Sequence, residues 1–137
     1  MPNKHYFNFP IIPLNHTLHV FFGGKMKHIK KQLGGIVNKR ELKDFLRLEC
    51  YAKFGVFSCA DAVIWLPCVP TTPYHFGALS HEIQHIVSHV LDTCGIKHCI
   101  ETDEIFSLHT GHITEIIYLE IAEINKPQNT DPCTQET

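Results

Sequence analysis

Residues 73–95 read PYHFGALSHEIQHIVSHVLDTCG. Thr72 is placed to cap a helix, and Pro73 suits the first helical position, where a missing N–H costs nothing. The spacing predicts a helix that runs to about Thr93 and ends at Gly95. Within it lies His81-Glu82-Ile83-Gln84-His85, an H-E-x-x-H sequence. Two histidines at i and i+4 lie about 40° apart on one helix face, so their imidazoles can converge on one zinc ion. Glu82 is one residue past the first of them, at the edge of the same face, within reach of a water on such a metal.

Upstream, Val56–Cys59 and Ala62–Leu66 are short apolar runs joined by Ala60-Asp61, which suits a hairpin, and Pro67, Pro70 and Pro73 make a rigid loop before the motif helix. Asn38 with Glu41 has the form of a capping arrangement that opens a helix over 38–54, with Gly55 as its C-terminal stop. A shorter helical spacing covers 25–33, stopped by Gly34-Gly35. Residues 16–22, HTLHVFF, alternate with the period of a strand. Downstream, Thr102 is placed to cap a last helix that runs to about Glu123, with Ile105, Leu108, His112, Ile113, Ile116 and Ile117 inward or nearly so. Residues 1–125 are expected to form one domain, and 126–137, KPQNTDPCTQET, a disordered tail with almost nothing to bury.

The whole chain has 137 residues with 44% hydrophobic and 19% charged content, which excludes a disordered chain, a collagen-like repeat and a disulfide miniprotein. No run of 18 apolar residues is long enough for a membrane span, and Asn8, Pro10, Pro13 and Asn15 interrupt the start, so no signal peptide is read and a cytoplasmic protein is expected. The six cysteines contain no C-x-x-C pair and are expected as free thiols, several of them buried. Cys94 and Cys99 flank His98, but not at the spacing of a zinc knuckle. Charge is uneven: residues 25–53 carry nine Lys/Arg and three acids, while 54–137 carry two Lys and eleven acids. The plainer reading of the basic stretch is a solvated helix face. Nucleic acid is not the expected partner, because neither aromatic interleaving nor a binding motif accompanies the charge.

Histidine is the odd component, with 11 copies against 12 Lys+Arg. That surplus raises the chance of a fortuitous H-E-x-x-H, so the residues around the motif matter more than the motif. A catalytic zinc needs a third protein ligand and an open position. Glu104 follows His85 after eighteen residues and falls in the first turn of the last helix, where a carboxylate also suits the helix dipole.

The H-E-x-x-H-x18-E spacing resembles that of the thermolysin-like zincins, or gluzincins, which hold zinc with two histidines and a glutamate. A closer resemblance is to small zincin-like proteins encoded by tailed bacteriophages and prophages. It is carried by Val63-Ile64-Trp65-Leu66-Pro67, the Pro/Thr loop, Gly77 to His85, Gly95-Ile96, Asp103-Glu104 and Gly111, and spans residues 62–118. The chain departs from that family around Gly111, where His109 and His112 stand in place of aromatic residues. The resemblance implies an α+β domain of minimal zincin type: a small antiparallel or mixed sheet packed on two long helices that carry the metal site. The 38–54 helix would then cover the sheet's other side, and Ala62–Leu66 would be the edge strand that pairs with an extended peptide substrate.

On this reading one zinc per chain is held by His81, His85 and Glu104, and Glu82 is the general base that passes a proton from water to the leaving amine. A further donor is needed for the oxyanion. His112 is the first candidate, about 80° round the helix from Glu104 and two turns along it, with Tyr74 and His109 in reserve. Asp103 is expected to orient a ligating imidazole. Plainer readings stand beside these: Glu104 as an acid balancing the helix dipole, His112 as a packed histidine, His89 as a surface residue. Two function classes follow. One is a zinc-dependent metallopeptidase-like hydrolase acting on a peptide or protein. The other is a catalytically inert zinc-binding structural or interaction protein associated with phage.

Overall fold

The computed structural model describes residues 4–127. Its strands are β1 (His5–Ile11), β2 (His16–Phe22), β3 (Lys53–Val56) and β4 (Asp61–Leu66). Its helices are α1 (Met26–Leu33), α2 (Lys39–Leu46), α3 (Pro73–Thr93) and α4 (Asp103–Ile124), with a 3-10 turn at Ile100–Thr102. The fold is α+β, with a small mixed sheet in the order β1-β2-β4-β3. β2 and β4 run parallel at its centre, while β1 and β3 flank them antiparallel.

Alternation along the central strands sorts the core into two. Leu18, Val20 and Phe22 of β2 and Ala62, Ile64 and Leu66 of β4 face one side, where they meet Leu79, Ile83, Ile86 and Val90 of α3 and the apolar stripe of α4. Phe21 and Val63 point the other way, under Ile29 and Leu33 of α1 and Leu42 and Phe45 of α2. The result is a three-layer arrangement, with the long helices on one face and the two short ones on the other.

Several expectations are corrected. No strand is expected before residue 16, yet His5–Ile11 forms β1. An edge strand tolerates Pro10, since only one side of such a strand must supply ladder hydrogen bonds. The helix expected over 38–54 ends at Leu46. Asn38 caps it, its side chain accepting from the Arg40 and Glu41 amides, but the Glu41 carboxylate accepts from the Ser58 amide and hydroxyl instead of closing a capping box. Gly55 belongs to β3. A Cβ there would lie 3.1 Å from the Phe45 ring and 3.3 Å from Val63, so the glycine allows α2 to approach the sheet. The hairpin partner of β4 is Lys53–Val56 and not 56–59, and its turn passes through Ala60 at φ 68°.

Most important for the site, Asp61–Leu66 is an inner strand and not the edge. β3 occupies that edge. Thr72 caps α3 as expected, accepting from the His75 amide. Thr102 does not cap α4 with its side chain; its hydroxyl donates to the Lys97 carbonyl and accepts from the Cys99 amide, tying down the turn before the helix. The inward stripe of α4 is Phe106, Ile113, Ile117 and Ile121. Ile105 and Leu108 are exposed, and so is His112. Cys50, Cys59, Cys94 and Cys99 are exposed and Cys68 half-buried, all as free thiols, so none of these five is buried as expected. Among the described residues no helix is long and apolar enough to cross a membrane. Residues 128–137, most of the tail expected to be disordered, lie outside the described residues.

Ile64 is fully buried on β4 against α3. Ile64→Ala is expected to lower unfolding free energy by about 2–5 kcal/mol in urea titrations. Ile105→Ala, 38% exposed, should cost well under half of that. Equal effects would contradict the assignment of α4's outer face.

Candidate metal site on the motif helix

α3 packs its apolar stripe on the sheet, which turns the H-E-x-x-H segment to a definite orientation. Ile83, Ile86 and Val87 are buried, whereas His81 is exposed and His85 half-exposed on the outer side of the helix. Their Nε2 atoms are 3.0 Å apart. Two imidazole nitrogens on one tetrahedral zinc, each about 2.0–2.1 Å from it, stand roughly 3.3 Å from each other. The pair therefore needs a movement of a few tenths of an ångström to become two zinc ligands. As it stands, one Nε2 donates its proton to the other, so at least one ring is neutral.

His85 is held by packing. Phe54 of β3 lies parallel to its ring, with centroids 4.5 Å apart and planes 9° from parallel, and His89 is tilted against the same phenylalanine. Burial lowers the basicity of His85, and the nearby His81 and His89 lower it further. A neutral imidazole is the form that binds metal.

Glu82 differs from its neighbours. It is only 7% exposed, and burial raises its pKa above the ordinary carboxylate value, partly opposed by His81. Among the described residues none donates a hydrogen bond to it. Together with His81 it lines a cleft of about 420 Å³ whose other walls include Tyr51, Ala52, Tyr74 and Ala78. Tyr51 and Tyr74 meet edge-on across this cleft, with ring centroids 5.1 Å apart.

The remaining site residues are distributed less tightly. Glu104 is exposed in the first turn of α4, and among the described residues it has no hydrogen-bond or ion-pair partner. Gln84 lines a second cleft with Asp103, Ser107 and Gly111, so the turn that carries Glu104 runs beside the motif helix. Among the described residues no group of three or more His, Cys, Asp or Glu side chains is arranged to hold a metal ion. Asp103 accepts from His98 Nε2 at 2.9 Å and does not orient His81 or His85. His112 is exposed and does not line the cleft beside Glu82; Tyr74 does, and His109 is half-buried on α4. Phe54, Tyr51 and the cleft itself were missed in the sequence, because 38–54 read as one continuous helix and concealed both the edge strand and the segment before it.

No protein-family model, no curated protein and no solved structure matches the chain.

A raised carboxyl pKa means that the folded protein holds the Glu82 proton more tightly than the unfolded chain does. Its contribution to stability is therefore present at low pH and is lost as pH rises from the ordinary value of 4.5 through the folded one. Glu82→Gln removes that loss. The metal-free variant is expected to melt above the metal-free wild type at pH 7–8, and the gap should close below pH 4.5. Thermal unfolding across pH 4–8 measures this, and a variant no more stable at neutral pH would refute the buried, charged carboxylate.

Proposed function

We propose that this chain is a zinc-dependent metallopeptidase-like hydrolase, holding one zinc per chain and acting in the cytoplasm, that of the host if it is phage-encoded. The observation that carries the reading is the convergence of His81 and His85 at 3.0 Å beside a buried Glu82 that has no hydrogen-bond donor among the described residues and lines an open cleft. A structural zinc site needs no such carboxylate.

In this reading His81 and His85 hold the metal through Nε2, and Glu104 is the third ligand, supported by its position on the turn beside α3 and by the family resemblance. Bound zinc supplies a Lewis acid and acidifies water toward neutrality. Glu82 takes a proton from water and delivers it to the leaving amine, and its raised pKa brings it closer to the range in which one group can do both. Phe54 keeps the His85 ring from turning. Among the described residues no strand lies beyond the outer edge of β3, and an extended peptide paired there would pass His85 and reach the Tyr51–Tyr74 cleft. Tyr74 competes with His112 as the donor to the oxyanion.

Elemental analysis and titration should find one zinc per chain, lost in His81→Ala and in His85→Ala. Glu82→Gln should keep the metal and lose about 10²–10⁴-fold in peptide cleavage, measured on a mixed peptide library. Absence of zinc on titration would overturn the metal site. Zinc retained with no cleavage by the wild type would overturn the hydrolase and leave the inert zinc-binding protein.

A further inference from the structure

The layer formed by α1 and α2 carries positive charge that its own structure does not neutralise. From Lys25 to Arg47 the chain has eight lysines and arginines and two acids, and all eight basic residues are exposed. Among the described residues none of the eight is in an ion pair. Glu41, one of the two acids, is turned to the Ser58 amide and hydroxyl.

A ninth cation lies beneath them. Lys53, only 4% exposed, extends under the same layer, where Nζ donates to Met26 Sδ at 3.1 Å and to the Leu46 carbonyl at 3.4 Å. Its ammonium stands over the rings of Phe45 and Trp65, 5.4 and 5.5 Å from their centroids. Sulfur, a carbonyl and two π faces take the place of a counter-ion, and among the described residues no carboxylate pairs with it. Acids gather on the far side of the sheet, where α4 carries Asp103, Glu104, Glu115, Glu120 and Glu123. The molecule is therefore polarised across the sheet, and its field draws anions to one face.

The kind of anion follows from what else this layer presents. Of the rings on this face Phe21, Phe45 and Phe57 are buried, Tyr6 and Trp65 are half-buried in the sheet beneath the helices, and neither α1 nor α2 carries an exposed Phe, Tyr or Trp on which unpaired bases could stack. That lack of aromatics bears against single strands; it does not bear against a duplex, whose phosphates run along the outside at regular spacing. We propose that the α1–α2 layer binds the phosphate backbone of double-stranded nucleic acid without reading its sequence. This surface lies on the opposite face of the sheet from α3, and the inference does not depend on the hydrolase reading.

The test is fluorescence anisotropy of the full chain with a labelled random-sequence duplex of about 20 base pairs, at about 50, 100 and 200 mM salt. With about four phosphates contacted, affinity should fall roughly 10²-fold across that range, a log–log slope of about −3.6. The quadruple variant Lys27→Glu, Lys30→Glu, Lys39→Glu, Lys43→Glu should lose at least tenfold at the lowest salt. Glutamine at the same four positions should give a smaller loss and a flatter slope, and it carries the test if the glutamate variant does not fold. No duplex binding at about 50 mM salt, or binding unchanged in both variants, would overturn the proposal. So would tighter binding to polyglutamate or to a single strand of equal length, which would assign the face to an acidic protein or to unpaired nucleic acid.

Discussion

The parallel pairing of β2 with β4 places the other elements of the fold. Leu18, Val20 and Phe22 on one strand and Ala62, Ile64 and Leu66 on the other are fully buried, and so are Phe21 and Val63 on the opposite face. A strand pair buried on both faces needs helices on both sides, and a parallel pair needs a crossover between its strands. The segment between β2 and β4 supplies α1 and α2 for one face before returning through β3. The segment after β4 supplies α3 and α4 for the other. β1 takes the outer side of β2, and β3, joined to β4 by a short hairpin, takes the outer side of β4 beside α3.

That placement makes the site. A strand at the edge brings Phe54 against His85, and the irregular residues before it bring Tyr51 and Ala52 to the cleft beside Glu82. The β2–β4 register is held at one end by polar contacts. His19, 4% exposed, reaches across to Asp61, its Nε2 2.7 Å from Asp61 Oδ1, while Tyr6 of β1 contacts its Nδ1 at 2.8 Å. Asn8 donates to the Tyr6 hydroxyl, so that hydroxyl is free to donate to Nδ1, and Nε2–H in turn donates to the carboxylate. A run of donors ending on one carboxylate satisfies each buried group without requiring a charged imidazole.

What was legible in the sequence followed the strength of local signals. α3 has a threonine cap, a proline at its first position and a glycine stop, and its boundaries were read correctly. β2 alternates plainly. The stretch 38–54 was misread because its apolar spacing continues past Leu46, while the contacts that end α2 and start β3 are made to distant parts of the chain. Gly55 is the clearest case: a glycine after a helical pattern reads as a stop, yet here it gives Phe45 room against Val63. The phase of α4 failed for a related reason. Isoleucine and leucine occur all round that helix, so composition could not tell the buried stripe from the outer face on which His112 lies. Of the histidines outside the motif, His16 contacts the Leu14 carbonyl and Thr93, His19 the Asp61 carboxylate, and His75 accepts from the Thr71 amide. Three of the 11 histidines therefore serve as polar anchors, His16 and His19 on β2 and His75 in the first turn of α3.

The burial of Glu82 follows from helix geometry once α3 lies on the sheet. Consecutive residues are about 100° apart, so if His81 and His85 face outward, the residue after His81 must fall at the margin between the exposed and packed sides. Ile83, a further 100° round, is fully buried, which fixes where that margin is. A carboxylate at such a margin loses most of its water without gaining a hydrogen-bonding partner from its own helix, whose amides are already used. Its proton affinity rises for that reason alone. The H-E-x-x-H spacing on an amphipathic helix thus couples two requirements: the same rotation that frees two imidazoles to meet forces the intervening carboxylate into a partly dry position, where its basicity is raised. What the rest of the fold adds is an opening on that margin. Here the opening lies beside the segment that leads into β3, so the edge strand and the carboxylate share one cleft.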